Sequence, residues 1–142
     1  MNIHESRRGE YSISTDIRRL DLDVVYDFLS NSYWAAGRSL ETIIKSIKNS
    51  LPFGLYKLDQ QIGFARVVTD YSTFGYIADV FVLPEHRGAG LGVWLMQEVI
   101  SHPDLQGFRR WLLVTRDAHE LYRRFGFKES TTGKIMELLK EL

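Results

Sequence analysis

The chain contains no cysteine. That excludes disulfide staples, thiolate metal sites and thiol nucleophiles together, and no metal is expected. It also lacks a long apolar run. No segment approaches the ~20 residues of a membrane-crossing helix, and the polar, charged stretch 1–10 does not read as a secretion signal. A cytoplasmic chain without membrane or nucleic-acid partners is the expectation, because net charge is missing too. The 18 basic and 18 acidic side chains cancel, so no one-signed field is offered to nucleic acid or an anionic surface.

What is present is ordinary globular material. The 142 residues are 44% hydrophobic and 25% charged, enough for one domain across 1–142 that buries roughly 68–70% of its unfolded surface. Residues 1–10 carry no apolar pattern and are expected to be flexible. Tyr11 to Ile17 alternates as a first strand. Asp21 caps a helix with Val24, Val25, Phe28 and Leu29 at helical spacing, and Ser39 caps a second with Ile43, Ile44 and Ile47.

The period then changes. Phe53 to Leu58, a turn at Asp59-Gln60-Gln61, Ile62 to Thr69, a turn at 70–73, and Phe74 to Leu83 predict an antiparallel meander. Pro84 ends it, having no N–H to give a ladder. A helix follows with Leu91, Trp94, Leu95 and Val99 on one face, then a strand from Arg110 to Thr115. Asp117 is placed to cap a helix carrying Ala118, Leu121, Tyr122 and Phe125, which ends at Gly126. Ile135 to Leu138 is read as a last strand.

The informative stretch is Val80-Phe81-Val82-Leu83-Pro84-Glu85-His86-Arg87-Gly88-Ala89-Gly90-Leu91-Gly92-Val93. A buried strand runs through a glycine-rich turn straight into a helix. The first turn of a helix presents free N–H groups and the positive end of its dipole. Glycines admit a phosphate close to the backbone, and Arg87 adds a permanent charge. A Walker loop is excluded because no Lys-Ser/Thr follows Gly92. A dinucleotide fingerprint is excluded because Val93 stands at its third glycine, and Phe108-Arg109-Arg110 stand where its acid belongs. Strand–helix packing alone would also explain the glycines.

These residues resemble a family. Arg87-x-x-Gly90-x-Gly92, with its Pro84-Glu85-His86-Arg87-Gly88 lead-in, is similar to the GNAT N-acetyltransferase motif Arg/Gln-x-x-Gly-x-Gly/Ala. Ala118-x-x-Leu121-Tyr122-Arg123-Arg124-Phe125-Gly126-Phe127 resembles that family's Ala-x-x-Leu/Phe-Tyr-x-x-x-Gly-Phe segment. The resemblance covers residues 11–139. It implies an α/β (α+β) acyl-CoA N-acyltransferase fold: a mixed, mostly antiparallel sheet flanked by about four helices, its fourth and fifth predicted strands splaying into a V.

The resemblance further implies acetyl-CoA as co-substrate. Val80, Phe81 and Val82 would meet the pantetheine arm, and Arg87, Gly88, Ala89, Gly90, Leu91, Gly92 and Val93 the pyrophosphate. Thr115 stands where the family often has asparagine. Tyr122 is the implied acid for the departing thiolate, and Asp79 the candidate group for the acceptor's proton. Tyr33, Trp34 and Arg38, with Tyr76 from the meander, are candidates to frame the acceptor; core packing and a solvated arginine would explain them equally. The expected reaction is acetyl transfer to a primary amine of a small molecule. Acetylation of a protein or peptide, and a non-catalytic acyl-CoA sensor, are the alternatives. C-terminal edge strands leave room for a homodimer.

Overall fold

Burial alternates strictly between half-buried and buried positions along Phe74–Val82, the period of two that a pleated strand imposes. In the computed structural model, which describes residues 2–131 and 133–140, this strand is the fifth of a six-stranded sheet ordered β1-β2-β3-β4-β5-β6. The strands are β1 Glu5–Arg8, β2 Tyr11–Ser14, β3 Leu51–Lys57, β4 Gln60–Thr69, β5 Phe74–Val82 and β6 Arg110–Leu112. All neighbouring pairs are antiparallel except β5 and β6, which run parallel. The helices are α1 Leu22–Ser30, α2 Leu40–Lys48, α3 Leu91–Ser101 and α4 His119–Arg123. The α/β architecture expected from the sequence is the one observed.

Local chemistry sets the helix starts. The Asp21 carboxylate accepts from the Asp23 and Val24 amides at α1, and the Ser39 hydroxyl from the Thr42 amide at α2, as the cap positions require. At α4 the expected cap is corrected. Ala118 occupies that position with no side-chain bond of its own, and Thr115 Oγ1, not Asp117, accepts from the Ala118 amide at 3.0 Å.

Two layers sandwich the sheet. On one face α3 sends Leu91, Trp94, Leu95 and Val99 into a cluster with Phe53, Ile77 and Tyr122. On the other, α1 and α2 bury Val25, Leu29, Ile43 and Ile47 against Phe64 and Phe81. A β-bulge decides which β5 side chains go where. Phe64 pairs with Phe81 but Arg66 with Ala78, so β5 holds one extra residue there, and Asp79 adopts φ 56°. The extra residue flips the alternation. Ile77 faces α3, yet Phe81, an even count further on, faces α1 and α2.

Four expectations need correction. Glu5–Arg8, expected to be flexible with the rest of 1–10, is a paired edge strand folded back at Gly9 (φ 58°). The turn after β3 is Leu58-Asp59 rather than 59–61. Gln61 belongs to β4, where its buried amide accepts from the Asp21 amide at 2.6 Å and donates to the Gly63 carbonyl at 3.0 Å. The strand expected over Arg110–Thr115 stops at Leu112. No strand forms over Ile135–Leu138: the run Ile135-Met136-Glu137-Leu138-Leu139 lacks period-2 alternation, so pairing would expose apolar groups on either face. Among the described residues, no helix is long and apolar enough to cross a membrane.

Candidate active site

The turn after β5 is built as an anion cradle. Pro84–His86 form a single tight turn, and Arg87 folds back so that its Nε donates to the Val82 carbonyl at 2.8 Å. Gly88 (φ 90°) and Gly90 (φ 76°) take left-handed conformations that place the chain at the start of α3. A side chain there would be strained. None of the amides from Gly88 to Val93 donates to another group of the described chain. The first turn of α3 carries no acidic side chain and no side-chain cap. A Cβ added at Gly88, Gly90 or Gly92 would meet nothing within 4 Å. Free donors, a positive helix end and open space therefore coincide.

The sheet opens beside this cradle. β6 pairs with β5 only at Phe74↔Arg110, Gly75↔Trp111 and Tyr76↔Leu112, while β5 continues to Val82. Residues 77–82 thus have β4 on one side and no β6 partner on the other: this is the predicted V. Val80 and Val82 pack towards α3, and Phe81 stacks on Phe28 with centroids 4.1 Å apart, leaving main-chain groups at the opening.

Across the V, β6 leads through Thr115 into α4 and Tyr122. The tyrosine is 7% exposed. Burial first, then the neighbouring Tyr33 and Asp117, push its pKa up to about 12. Its hydroxyl makes no hydrogen bond to the described chain and is not sealed from solvent; the sealed, unpartnered polar atoms are Tyr56 Oη and His102 Nε2. Tyr122 lines a largely apolar cavity of about 320 Å³ with Trp111, Leu113, Thr115, His119 and Phe127.

The third element is the connection between α1 and α2. Trp34 Nε1 donates to Asp79 Oδ1 at 3.0 Å, and Arg38 Nη1 to Oδ2 at 2.8 Å. Arg66 of β4 donates from Nε to the same Oδ2 at 2.6 Å and from Nη1 to Ser50 Oγ at 3.1 Å. The Asp79 side chain is 2% exposed. From the same connection Tyr33 reaches the far lip. Its hydroxyl accepts from the Arg116 amide at 3.2 Å, the Arg116 guanidinium lies 3.7 Å over its ring, and its ring meets Trp34 edge-on at 5.1 Å.

Tyr33, Trp34, Arg38 and Asp79 are therefore brought together. Tyr76, half-buried on β5, makes no hydrogen bond or ring contact with them and lies where β5 is still paired to β6. Arg66 escaped the sequence reading. Its signal was one arginine inside the apolar run Ile62–Val68, a position where a charge demands a partner.

Comparison with known proteins agrees with this architecture. Residues 17–127 match the Acetyltransferase (GNAT) family. A crystal structure from Xanthomonas campestris pv. campestris, of a GNAT protein described by inference as an acetyltransferase, shares 42% identity at TM-score 0.87, covering 99% of this chain and 94% of its own. A protein of Gibberella zeae, also an acetyltransferase by inference, is 34% identical over 146 residues, 86% of this chain and 81% of its own length. The peptidyl-lysine N-acetyltransferase YjaB of Salmonella typhimurium is 26% identical over 99% of this chain and 92% of its own. The chain belongs to the Acetyltransferase (GNAT) family, whose members draw their acetyl group from acetyl-CoA.

Proposed function

We propose that this chain transfers an acetyl group from acetyl-CoA to a primary amine of a small molecule by direct attack. The observation that carries the reading is the run of amides from Gly88 to Val93, without partners among the described residues, beside the unzipped half of β5. Those amides and the free end of Arg87 suit a pyrophosphate. Val80, Phe81 and Val82 offer a strand edge to the pantetheine arm. The Arg87 bond occupies one lone pair of the Val82 carbonyl, so pairing draws on the other groups of that edge. Thr115 keeps a free hydroxyl proton for the cofactor, because its bond to Ala118 uses only the oxygen.

A neutral amine attacks the thioester carbon, the tetrahedral adduct collapses, and the C–S bond breaks with its electron pair on sulfur. Tyr122, with a pKa of about 12, stays protonated throughout neutral pH. It is suited to donate a hydrogen bond to the sulfur as charge develops and to give up its proton as the thiolate forms, regaining one from solvent. A lysine-like amine of pKa about 10.4 is neutral in only about one molecule in 2,500 at pH 7, a deficit of about 4.6 kcal/mol. The sequence suggested Asp79 to take that proton. Its carboxylate already accepts three bonds and is almost fully enclosed, so we assign it instead to positioning Trp34 and Arg38, and assign the proton to water in the cleft. Tyr33, Trp34 and Arg38 frame the acceptor; Tyr76 belongs to the wall of β5.

A second reading, acetylation of protein lysines, is favoured by the similarity to YjaB along nearly the whole chain. A thiol-release assay across amino acids, polyamines, aminoglycosides and peptides separates the two. Release with free amines is the expected result. Release with peptides alone would select the second reading, and no calorimetric heat from coenzyme A at millimolar ligand would remove both.

A further inference from the structure

Count the charges around the β5 bulge. Two guanidiniums, Arg38 and Arg66, converge on a single carboxylate oxygen, Asp79 Oδ2. Their side chains are 19% and 12% exposed, and neither has a second acidic partner within 4.0 Å among the described residues. The cluster holds one positive charge in excess, largely withdrawn from water. A buried charge without a counter-ion is costly, and a fold that keeps one has a use for it or a ligand that neutralises it.

The donors are distributed unequally. Arg66 is used up structurally, with Nε on Asp79 and Nη1 on Ser50. Arg38 spends one N–H of five on Asp79. Among the described residues its remaining donors have no partner and are not sealed off, which leaves N–H groups of the guanidinium spare. Arg66 fixes Asp79, and Asp79 fixes Arg38 and Trp34. A third cation, Arg116, sits on the ring of Tyr33 and has no acidic partner within 4.0 Å among the described residues. A planar fork with spare N–H groups suits a carboxylate held by two parallel bonds.

We infer that the acceptor is an amine that also carries a carboxylate, an amino acid in the broad sense, and that Arg38, oriented by Asp79 and Arg66, binds that carboxylate. The inference rests on the acetyl-transfer reading and narrows it. Arg66 is a positioning residue, since it acts through Asp79.

The test compares each of a series of α- and ω-amino acids with its own primary carboxamide, in the thiol-release assay with saturating acetyl-CoA. The carboxamide is the stringent control: its amine is less basic, so more of it is neutral and ready to attack. Expected is a kcat/KM at least ten-fold higher for the acid than for the amide in the favoured pair. Arg38→Gln reduces that preference to within about two-fold, chiefly through the acceptor KM, with the KM for acetyl-CoA unchanged. Arg38→Lys restores part of it. Arg66→Met lowers the same preference, again through the acceptor KM.

Two results would overturn the inference while leaving acetyl transfer standing. One is carboxamides or plain amines used as well as the acids. The other is acetyl-CoA binding by calorimetry with no acid in the series reacting. A readout independent of turnover accompanies them. Arg38→Met leaves a balanced Arg66–Asp79 pair, so the free protein should melt no lower than the parent, and an excess of the favoured amino acid should raise the parent's melting temperature but not the variant's. A large drop in the variant's melting temperature would mark Arg38 as a structural counter-ion and end the proposal.

Discussion

Asp79 and Arg66, thirteen positions apart, meet at 2.6 Å across a β-bulge. The bulge puts Asp79 at φ 56°, a conformation that asparagine and aspartate tolerate better than other non-glycine residues. Asp79→Asn therefore keeps shape and backbone but removes the charge. It leaves two largely enclosed guanidiniums with no carboxylate, and breaking a buried ion pair on one side costs about 3–5 kcal/mol. Urea denaturation should show a loss of this order. Adding Arg38→Met to Asp79→Asn should recover part of it, because one stranded charge is gone. Two single effects that simply add would mean the groups are not coupled.

How much of this was legible beforehand depends on whether a feature is local. The caps at Asp21 and Ser39, the meander and the glycine turn each leave a signature within a few residues; the caps and the glycine turn stand where the sequence put them, and the meander differs at its first turn. β1 left none. Glu5-Ser6-Arg7-Arg8 is an edge strand with solvent on most sides, so burial imposes no pattern on it. The ion cluster was invisible for another reason: it joins positions 34, 38, 66 and 79, and no periodicity encodes a pairing that a bulge creates. Thr115 takes the place of Asp117 at the start of α4 because the helix begins at His119, one residue later than a cap at Asp117 would need.

Tyr122→Phe isolates the proposed acid. The ring still fills its place beside Phe127, so folding and acetyl-CoA KM should hold while kcat falls by about 100-fold or more, the usual worth of a positioned proton donor. The pH profile carries a second check. With the hydroxyl's pKa near 12, no falling limb belongs to it below about pH 11, and the parent rate should climb with pH until the acceptor amine is neutral. A falling limb near pH 9 that vanishes in the variant would contradict the assignment.

Gly92 separates binding from stability. Its Cβ would enter open space, and its φ is not in the left-handed region. Gly92→Val is thus tolerated by the fold, and since valine is only slightly better than glycine in a helix the change should cost little or stabilise by about a few tenths of a kcal/mol. The new methyls would fill space that a phosphate is proposed to use. Calorimetry should find coenzyme A binding at least ten-fold weaker, with the melting temperature held or raised. Undiminished binding would move the pyrophosphate away from the α3 N-terminus.

His102 makes stability depend on pH in the acid range. It is 2% exposed between His4 and Phe53, its Nδ1 accepts from the Asp104 amide at 3.0 Å, and its Nε2 is sealed without a partner among the described residues. Burial, with a smaller push from His4, holds its pKa below the ordinary 6.5. Above pH 6.5 the ring is neutral both folded and unfolded, so it contributes no slope. As pH falls below 6.5 the unfolded chain takes up a proton that the folded chain refuses, and stability is lost until the folded pKa is passed. The slope approaches about 1.4 kcal/mol per pH unit at most, the worth of one proton. His102→Gln removes the titration, so its urea midpoint should change less between pH 7 and pH 5 than the parent's. An identical pH dependence in the two proteins would show that the ring picks up its proton while still inside the fold.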